Sequence, residues 1–172
     1  MLATAETIDW GLKLLGIPPL WRETKGEGIK VGVLDTGIAL EHPDLAPALL
    51  EARDFTRSPS AAYDAQGHGT HVSGIIAARR NAHGIVGVAP ESKILMAKVL
   101  NDEGAGTSQD IVAGIRWAVS AGADILSMSL GSSEPDEEIH QALLLAISKG
   151  VFVVTAAGNE GPDLDTVGYP AG

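Results

Sequence analysis

Four short, almost uninterrupted apolar segments constrain the fold of this 172-residue chain more than any other feature. They are rich in Val, Ile, Leu and Met, which is typical of strands that are covered on both faces. The segments are IKVGVL at 29–34, ILMAKVL at 94–100, DILSMSL at 124–130 and VFVVTAA at 151–157. Segments with helical spacing alternate with them, so the sequence predicts an α/β fold: a parallel sheet with helices on both faces.

Three segments have the apolar spacing of amphipathic helices. The first follows His68, and the second begins near Ser108, where Ser108 or Asp110 can act as the N-cap. The third opens with acidic residues and ends at Lys149-Gly150, which suits the helix dipole and a glycine stop. The predicted inward-facing residues are Val72, Ile75 and Ile76 in the first helix, Ile111, Ile115 and Ala118 in the second, and Ile139, Ala142, Leu143, Ala146 and Ile147 in the third.

The composition excludes several classes of function. A formal net charge of −10 argues against a nucleic-acid partner, because the chain would repel phosphates. No apolar run approaches the length of a membrane span, so no membrane partner is expected. The chain has no cysteine, so it can have no disulfide, thiol nucleophile or thiolate metal site. Its N-terminus lacks the basic leader of a secretory signal.

Polar residues stand where chemistry is expected in an open α/β sheet, beyond the carboxyl ends of the strands. Asp35 follows the first strand, Asn159 follows the fourth, and His68 begins a helix between Gly67 and Gly69. Taken singly, each is a turn or capping residue. Together they resemble the base half of a hydrolase: an imidazole oriented by a carboxylate, with an amide that can hold an oxyanion. The two glycines are expected to leave space for a substrate beside the ring.

Several longer stretches resemble the subtilisin family of serine proteases, in that family's order: VGVLDTGIALEHPDL, GHGTHVSGIIAA, GIVGVAP, ILSMSLG and VVTAAGNEGP. The similarity runs from about Trp10 to the last residue. It implies that residues 1–172 are the N-terminal part of a single subtilisin-like catalytic domain, incomplete at its C-terminus. It also implies that Asp35 orients His68, that His68 is the general base and then acid, and that Asn159 donates to the oxyanion.

The resemblance further implies a cleft that binds a peptide or protein substrate as an added strand. Two backbone segments would flank the extended peptide, and a third would wall the pocket for the residue before the scissile bond, with Glu160 at its rim. Without the resemblance, these glycine-rich segments would be interpreted as simple turns. The implied substrate-binding residues are Gly104, Ala105, Gly106, Ser129, Leu130, Gly131, Ala156, Ala157, Gly158 and Glu160.

Many members of the family also bind calcium, and the resemblance implies such a structural site here. Oxygen donors from separate loops suit this hard cation. The charges of Arg79 and Arg80 nearby argue against the site, and Asp44 could instead cap a turn after His42-Pro43. The implied ligands are the side chains of Asp44, Asn81 and Glu6 and the carbonyls of Arg79, His83 and Ile85.

The nucleophile of the family lies in a Gly-Thr-Ser-Met-Ala segment well after the oxyanion asparagine. Here the sequence ends at Gly172, thirteen residues after Asn159. Ser108, in Gly106-Thr107-Ser108, is rejected as a substitute because it precedes Asn159 and lies in the substrate-binding loop. We therefore expect the serine on a C-terminal complement and this chain alone to be inactive.

Two other functions compete with this interpretation. One is an inactive, peptide-binding or regulatory module. The other, a nucleotide-binding domain, is disfavoured because the chain lacks a phosphate-loop lysine and a G-x-G-x-x-G fingerprint. The acidic composition and the absence of a leader resemble the intracellular branch of the family and slightly favour the cytoplasm.

Overall fold

A five-stranded parallel sheet forms the centre of the computed structural model, which describes residues 6–161 and 166–172. The strands are β1 (Lys30–Asp35), β2 (Leu49–Asp54), β3 (Lys93–Lys98), β4 (Ile125–Met128) and β5 (Phe152–Thr155). Their order across the sheet is β2-β3-β1-β4-β5, and every neighbouring pair is parallel. Four of them are the predicted strands, with ends within two residues of the prediction. Pro162, in the last family-like stretch, lies outside the described residues.

The sequence does not predict β2, the edge strand beside β3. Its sequence, LLEARD, contains three charged residues and is only partly buried along its length. Its register with β3 also shifts between Leu49 and Glu51. An edge strand of this kind lacks the continuous apolar run by which the buried strands were found.

Helices pack on both faces of the sheet, as predicted. The helices on the sheet are α3 (His68–Ala77), α4 (Ser108–Ser120) and α5 (Glu137–Ser148). Helices α1 (Trp10–Leu14) and α2 (Ile17–Leu20) contribute instead to a separate small apolar cluster. Val33 and Met96 belong to a core shared with α3, whereas Leu34 and Ala97 belong to a core shared with α4 and α5. Successive residues of a strand point to opposite faces, so β1 and β3 each contribute to both cores. Among the described residues, no helix is both long and apolar enough to span a membrane.

Most of the predicted inward-facing helical residues are buried or packed against a core, but two are not. Ile75 is 48% exposed and Ile147 is 54% exposed, so these two predictions are wrong. Each lies one helical step, about 100°, from a neighbour that packs inward: Ile76 in α3 and Ala146 in α5. That step turns both side chains to the flank of the helix.

One helix cap differs from the predicted residues and another agrees with the predicted pattern. The N-cap of α4 is Thr107, whose hydroxyl accepts the backbone N–H of Asp110 at 3.2 Å, so neither Ser108 nor Asp110 is the cap. The carboxylate of Asp136 caps α5, and the chain leaves that helix through Gly150 at φ +85°, as expected. Helices α1 and α2 were not predicted, because segments of five and four residues are too short to show a helical period.

The strand register brings the polar segments to one edge of the sheet. Asp35 is paired with Lys98, Leu34 with Met128, and Met128 with Thr155. The residues that follow β1, β3, β4 and β5 therefore emerge side by side at the carboxyl edge, where α3 also begins.

Candidate active site

Asp35 and His68 lie in contact at the carboxyl edge of the sheet. Asp35 is fully buried, and its Oδ1 lies 2.7 Å from Nδ1 of His68. The same oxygen accepts the backbone N–H of Thr36 at 2.7 Å. The His68 side chain is 46% exposed and lines a cleft. Because the carboxylate can only accept, Nδ1 carries the proton of the neutral imidazole, and Nε2 is the nitrogen that can take up another.

The glycines on either side of His68 have different roles. Gly67 is the N-cap of α3 at φ +97°, and a Cβ there would meet open space. A Cβ on Gly69 would lie 2.3 Å from the carbonyl oxygen of Gly37 and 3.1 Å from Cβ of Asp35. Gly69 therefore allows the first turn of α3 to approach the end of β1, and the expectation that it clears space for a substrate is wrong.

A further functional residue, Asp64, was not predicted; it is buried in the loop before α3. Its Oδ1 accepts the Thr36 hydroxyl at 2.9 Å and the Gly67 N–H at 2.8 Å. Its Oδ2 accepts the backbone N–H and the hydroxyl of Thr70 at 2.8 and 2.6 Å. A signal for it exists in the sequence: a helix that begins at glycine needs another acceptor for its first N–H groups, and Asp64 is the nearest preceding carboxylate.

The surroundings of Asp64 favour its charged form. Burial raises the pKa of this carboxyl, but hydrogen bonds from Thr70, Gly67 and Thr36 lower it by more, so the pKa lies below its ordinary value. The anion also lies at the N-terminal end of α3, where the helix dipole stabilises negative charge.

A buried lysine, Lys98, connects the segment after Asp35 to two loops near His68. Lys98 is fully buried at the end of β3. Its ammonium donates to the carbonyls of Thr36 and Tyr63 at 2.8 and 3.0 Å, to the Ser60 hydroxyl at 3.2 Å and to Asp102 Oδ1 at 2.8 Å. The hydrogen bonds from Lys98 and Ser60 lower the pKa of Asp102. One buried cation thus joins the end of β1, the loop at 60–63 and the loop at 101–106.

A cleft of ≈ 650 Å³ opens beside His68. Among the residues that line it are all six predicted backbone contacts for an extended substrate: Gly104, Ala105, Gly106, Ser129, Leu130 and Gly131. Gln66 also lines this cleft and was not predicted; its side chain lies so close to Gly104 that a Cβ there would be 2.4 Å from Gln66 Nε2.

Asn159 lies in a neighbouring cavity of ≈ 560 Å³, which shares the segment from Ser129 to Ser132 with the first. Ala156, Gly158 and Glu160 line this second cavity too, whereas Ala157 accepts the backbone N–H of Gly168 at 2.8 Å. The Glu160 carboxylate turns back and accepts the backbone N–H of Asn159 at 2.7 Å. Asn159 therefore lies across the shared wall from His68 and not in hydrogen-bond contact with it.

Among the described residues, the hydroxyl of Ser108 bonds a residue other than His68. Its hydroxyl donates to Asp136, the residue that caps α5. This hydrogen bond, followed by those from the backbone of Ile139 and Glu138, lowers the pKa of Asp136. The placement agrees with the rejection of Ser108 as a nucleophile.

The predicted calcium ligands lie in the loop that follows α3 or bond to it. Asp44 is buried; its Oδ1 accepts Nδ2 of Asn81 at 2.8 Å, and its Oδ2 accepts the N–H of Ile85 at 3.3 Å. Glu6 accepts the N–H of Asn81 at 3.0 Å and pairs with Arg80 at 3.3 Å. Oxygen donors thus converge from three segments, but N–H groups already bond both carboxylates.

The other two residues of that set, Arg79 and His83, bond backbone carbonyls with their side chains. Arg79 donates to the carbonyls of Pro47 and Ser92 at 3.2 and 2.9 Å, and Nδ1 of His83 lies 2.9 Å from the carbonyl oxygen of Asn81. Within the described ranges, no three acidic, histidine or cysteine side chains are grouped so that they could hold a metal ion.

Known proteins resemble this chain over almost its whole length. The profile of the Subtilase family matches residues 26–172. An intracellular serine protease of Paenibacillus polymyxa is 44% identical over 170 residues, covering 95% of this chain and 52% of that protein. The major intracellular serine protease of Bacillus subtilis (strain 168) is also 44% identical, covering 94% and 53%, and subtilisin DY of Bacillus licheniformis is 41% identical, covering 97% and 61%. The chain therefore spans about half to three fifths of the length of these relatives.

Proposed function

Because the chain belongs to the subtilase family, we propose that it carries the acid–base half of a subtilisin-type serine endopeptidase. The main support is the 2.7 Å contact between buried Asp35 and His68 at the cleft. In this proposal Asp35 holds the Nδ1 proton and stabilises the imidazolium. Nε2 of His68 takes the proton of a serine hydroxyl and later gives it to the leaving amine.

Asn159 would stabilise the oxyanion of the tetrahedral intermediate with its side-chain amide. Its place beside the segment from Ser129 to Ser132, which borders both cavities, supports this role. An amide donor aimed at developing charge is worth about 10²–10³ in turnover, a magnitude that was measured in subtilisin itself.

We assign the serine to a C-terminal portion of the same catalytic domain, of which residues 1–172 form the N-terminal part. Exposed apolar side chains on β5, the outermost strand in the described part of the chain, support this assignment. On β5, Phe152 is 68% exposed and Val154 is 47% exposed, and both project from the same face of the strand. An apolar edge strand of this kind needs a cover, since it otherwise promotes aggregation.

The substrate in this proposal is a peptide or protein in extended conformation. The backbone at Gly104–Gly106 and Ser129–Gly131 would bond the substrate main chain from both sides, which gives affinity without strong sequence preference. The cytoplasm is the proposed location, supported by the acidic composition and by two relatives whose names describe intracellular proteases.

We also propose that the loop from Arg79 to Ile85 binds calcium. The oxygens of Asp44, Glu6 and Asn81 suit a hard cation, provided that Asn81 presents its amide oxygen rather than its nitrogen. The ion would fix this loop against the end of α3 and would take no part in the reaction. Chelation should lower the melting temperature of the chain, and an Asp44→Asn variant should not respond; equal melting of the unchanged chain with and without chelator would exclude the site.

Fluorophosphonate labelling tests the proposed function, because the reagent reacts with a serine that a base has activated. The 172-residue chain alone should remain unlabelled, and addition of the C-terminal half of its own protease should produce labelling of that half. His68→Ala should abolish the labelling while the circular dichroism spectrum stays unchanged. If the completed protein binds peptides but is never labelled, it is an inactive binding module; labelling of the chain alone would refute the assignment of the serine.

A further inference from the structure

The contact between Asp35 and His68 joins two segments that differ in how firmly they are held. Asp35 ends β1, which is paired with β3 on one side and β4 on the other. His68 begins α3, whose N-cap, Gly67, has no side chain with which to bond the first turn. The imidazole therefore belongs to a first helical turn that its own N-cap residue cannot hold in place by a side-chain hydrogen bond.

Asp64 bonds both of these segments at once. On the side of His68 it accepts N–H groups of Gly67 and Thr70 and the Thr70 hydroxyl. On the side of Asp35 it accepts the Thr36 hydroxyl, and Thr36 Oγ1 in turn accepts the N–H of Gly69 at 3.0 Å. These bonds connect the two segments in a ring that includes the contact between Asp35 and His68.

We propose that Asp64 is a positioning residue for the acid–base pair: its buried carboxylate bonds Thr36 and the first turn of α3 together and so sets the distance between Asp35 and His68. The role requires two acceptor oxygens, because each carboxylate oxygen already receives at least two donors. An amide in this place has one acceptor oxygen and would turn an N–H₂ group against other donors. Asparagine therefore keeps the shape of the side chain but opens the ring.

The chain offers a matched control in Asp54, at the end of β2. Its carboxylate accepts the N–H and hydroxyl of Thr56 at 2.8 and 2.7 Å and the N–H of Ser58 at 2.9 Å. Asp54→Asn thus removes the same charge from a similar set of donors, but these donors do not touch Asp35 or His68. Thr36→Val is a second test variant, because it removes the hydroxyl that bonds Asp64 and Gly69 and that also lies 3.3 Å from Asp35 Oδ1.

The measurement is the solvent exchange of the His68 Nδ1 proton, followed by ¹H NMR in the 172-residue chain. In the unchanged chain and in Asp54→Asn, the 2.7 Å bond should give a slowly exchanging, downfield resonance. In Asp64→Asn and Thr36→Val, the exchange should be at least about tenfold faster, the effect expected when a hydrogen bond to a charged group is lost. Unchanged exchange in both folded variants would overturn the proposal. Unfolding of both variants would also overturn it, in favour of a general structural role for Asp64.

The consequence for catalysis rests on the proposed function, but the NMR measurement does not. In the completed protease, Asp64→Asn should lower kcat about tenfold or more while KM for a peptide stays near its original value, since the cleft backbone is unchanged. If the proton exchange accelerates but no form of the protein cleaves peptides, the positioning role stands and the proposed function fails.

Discussion

The close approach of α3 to β1 at Gly69 gives a prediction that depends on geometry alone. A Cβ at this position would lie 2.3 Å from the carbonyl oxygen of Gly37, a backbone atom that cannot rotate away, and 3.1 Å from Cβ of Asp35. Overpacking costs about 1–3 kcal/mol, and contact with the backbone places Gly69→Ala near the upper end. The better helix propensity of alanine offsets about 1 kcal/mol. The net loss in the free energy of unfolding should be about 2 kcal/mol.

Gly74 provides the matched control, because it is a second buried glycine of the same helix. A Cβ on Gly74 would meet its nearest neighbour, Cδ1 of Ile85, at 3.5 Å, which is an ordinary van der Waals distance. Gly74→Ala should therefore raise the free energy of unfolding by about 0.5–1 kcal/mol through helix propensity.

Urea unfolding followed by circular dichroism measures both changes in the same chain. The Gly69→Ala midpoint should fall below that of the unchanged protein and the Gly74→Ala midpoint should rise above it, with similar slopes. A Gly69→Ala variant as stable as Gly74→Ala would refute the close contact between the start of α3 and the end of β1. The geometry proposed for Asp35 and His68 would then lose its main packing support.

Three further predictions concern charged and polar groups. Lys98→Met takes the ammonium from the Thr36 carbonyl and from the Asp102 carboxylate, so it should reduce the free energy of unfolding by about 2–5 kcal/mol. Lys93, a half-buried lysine of the same strand, donates to the Pro47 carbonyl at an exposed place, so Lys93→Met should change it by less than about 0.5 kcal/mol; equal midpoints in urea would contradict the network. The pKa of Asp64 is lower in the folded chain, so its contribution to stability is present above the ordinary pKa of aspartate and is lost as the pH falls through the folded value. Acid titration of stability below about pH 4 should therefore be shallower in Asp64→Asn than in Asp54→Asn, and identical curves would contradict the lowered pKa. In the completed protease, Asn159→Ala should reduce kcat by about 10²–10³ with little change in KM, and an effect confined to KM would exclude the oxyanion role.

The sequence predicts those parts of the fold that burial makes regular. The strands β1, β3, β4 and β5 are apolar on both faces because cores lie on both sides, so their composition alone identifies them. The strand β2 escapes prediction because its edge position allows Glu51 and Arg53 to face solvent, where they form an ion pair at 2.8 Å. A regular apolar pattern arises only where burial requires apolar side chains, and an edge strand is buried less than a central one.

The candidate site divides in a similar way. Asp35 and His68 could be found because residues after parallel strands meet at one edge and because glycines mark the start of α3. Asp64 and Lys98 could not be found by that reasoning, since one lies inside an irregular loop and the other inside an apolar strand. A lysine in ILMAKVL has no periodic reason to face inward, and its acceptors come from loops at positions 36, 60–63 and 102. Only the folded chain brings these groups together.

The contacts that hold the candidate acid–base pair lie within one continuous part of the chain. The bond between Asp35 and His68, and every hydrogen bond of Asp64 and Lys98 that surrounds it, joins residues between positions 35 and 102. These bonds therefore need no residue beyond position 102, although β1, which ends at Asp35, is also paired with β4. A complement that covers β5 would supply the hydroxyl but would not need to create the base that activates it.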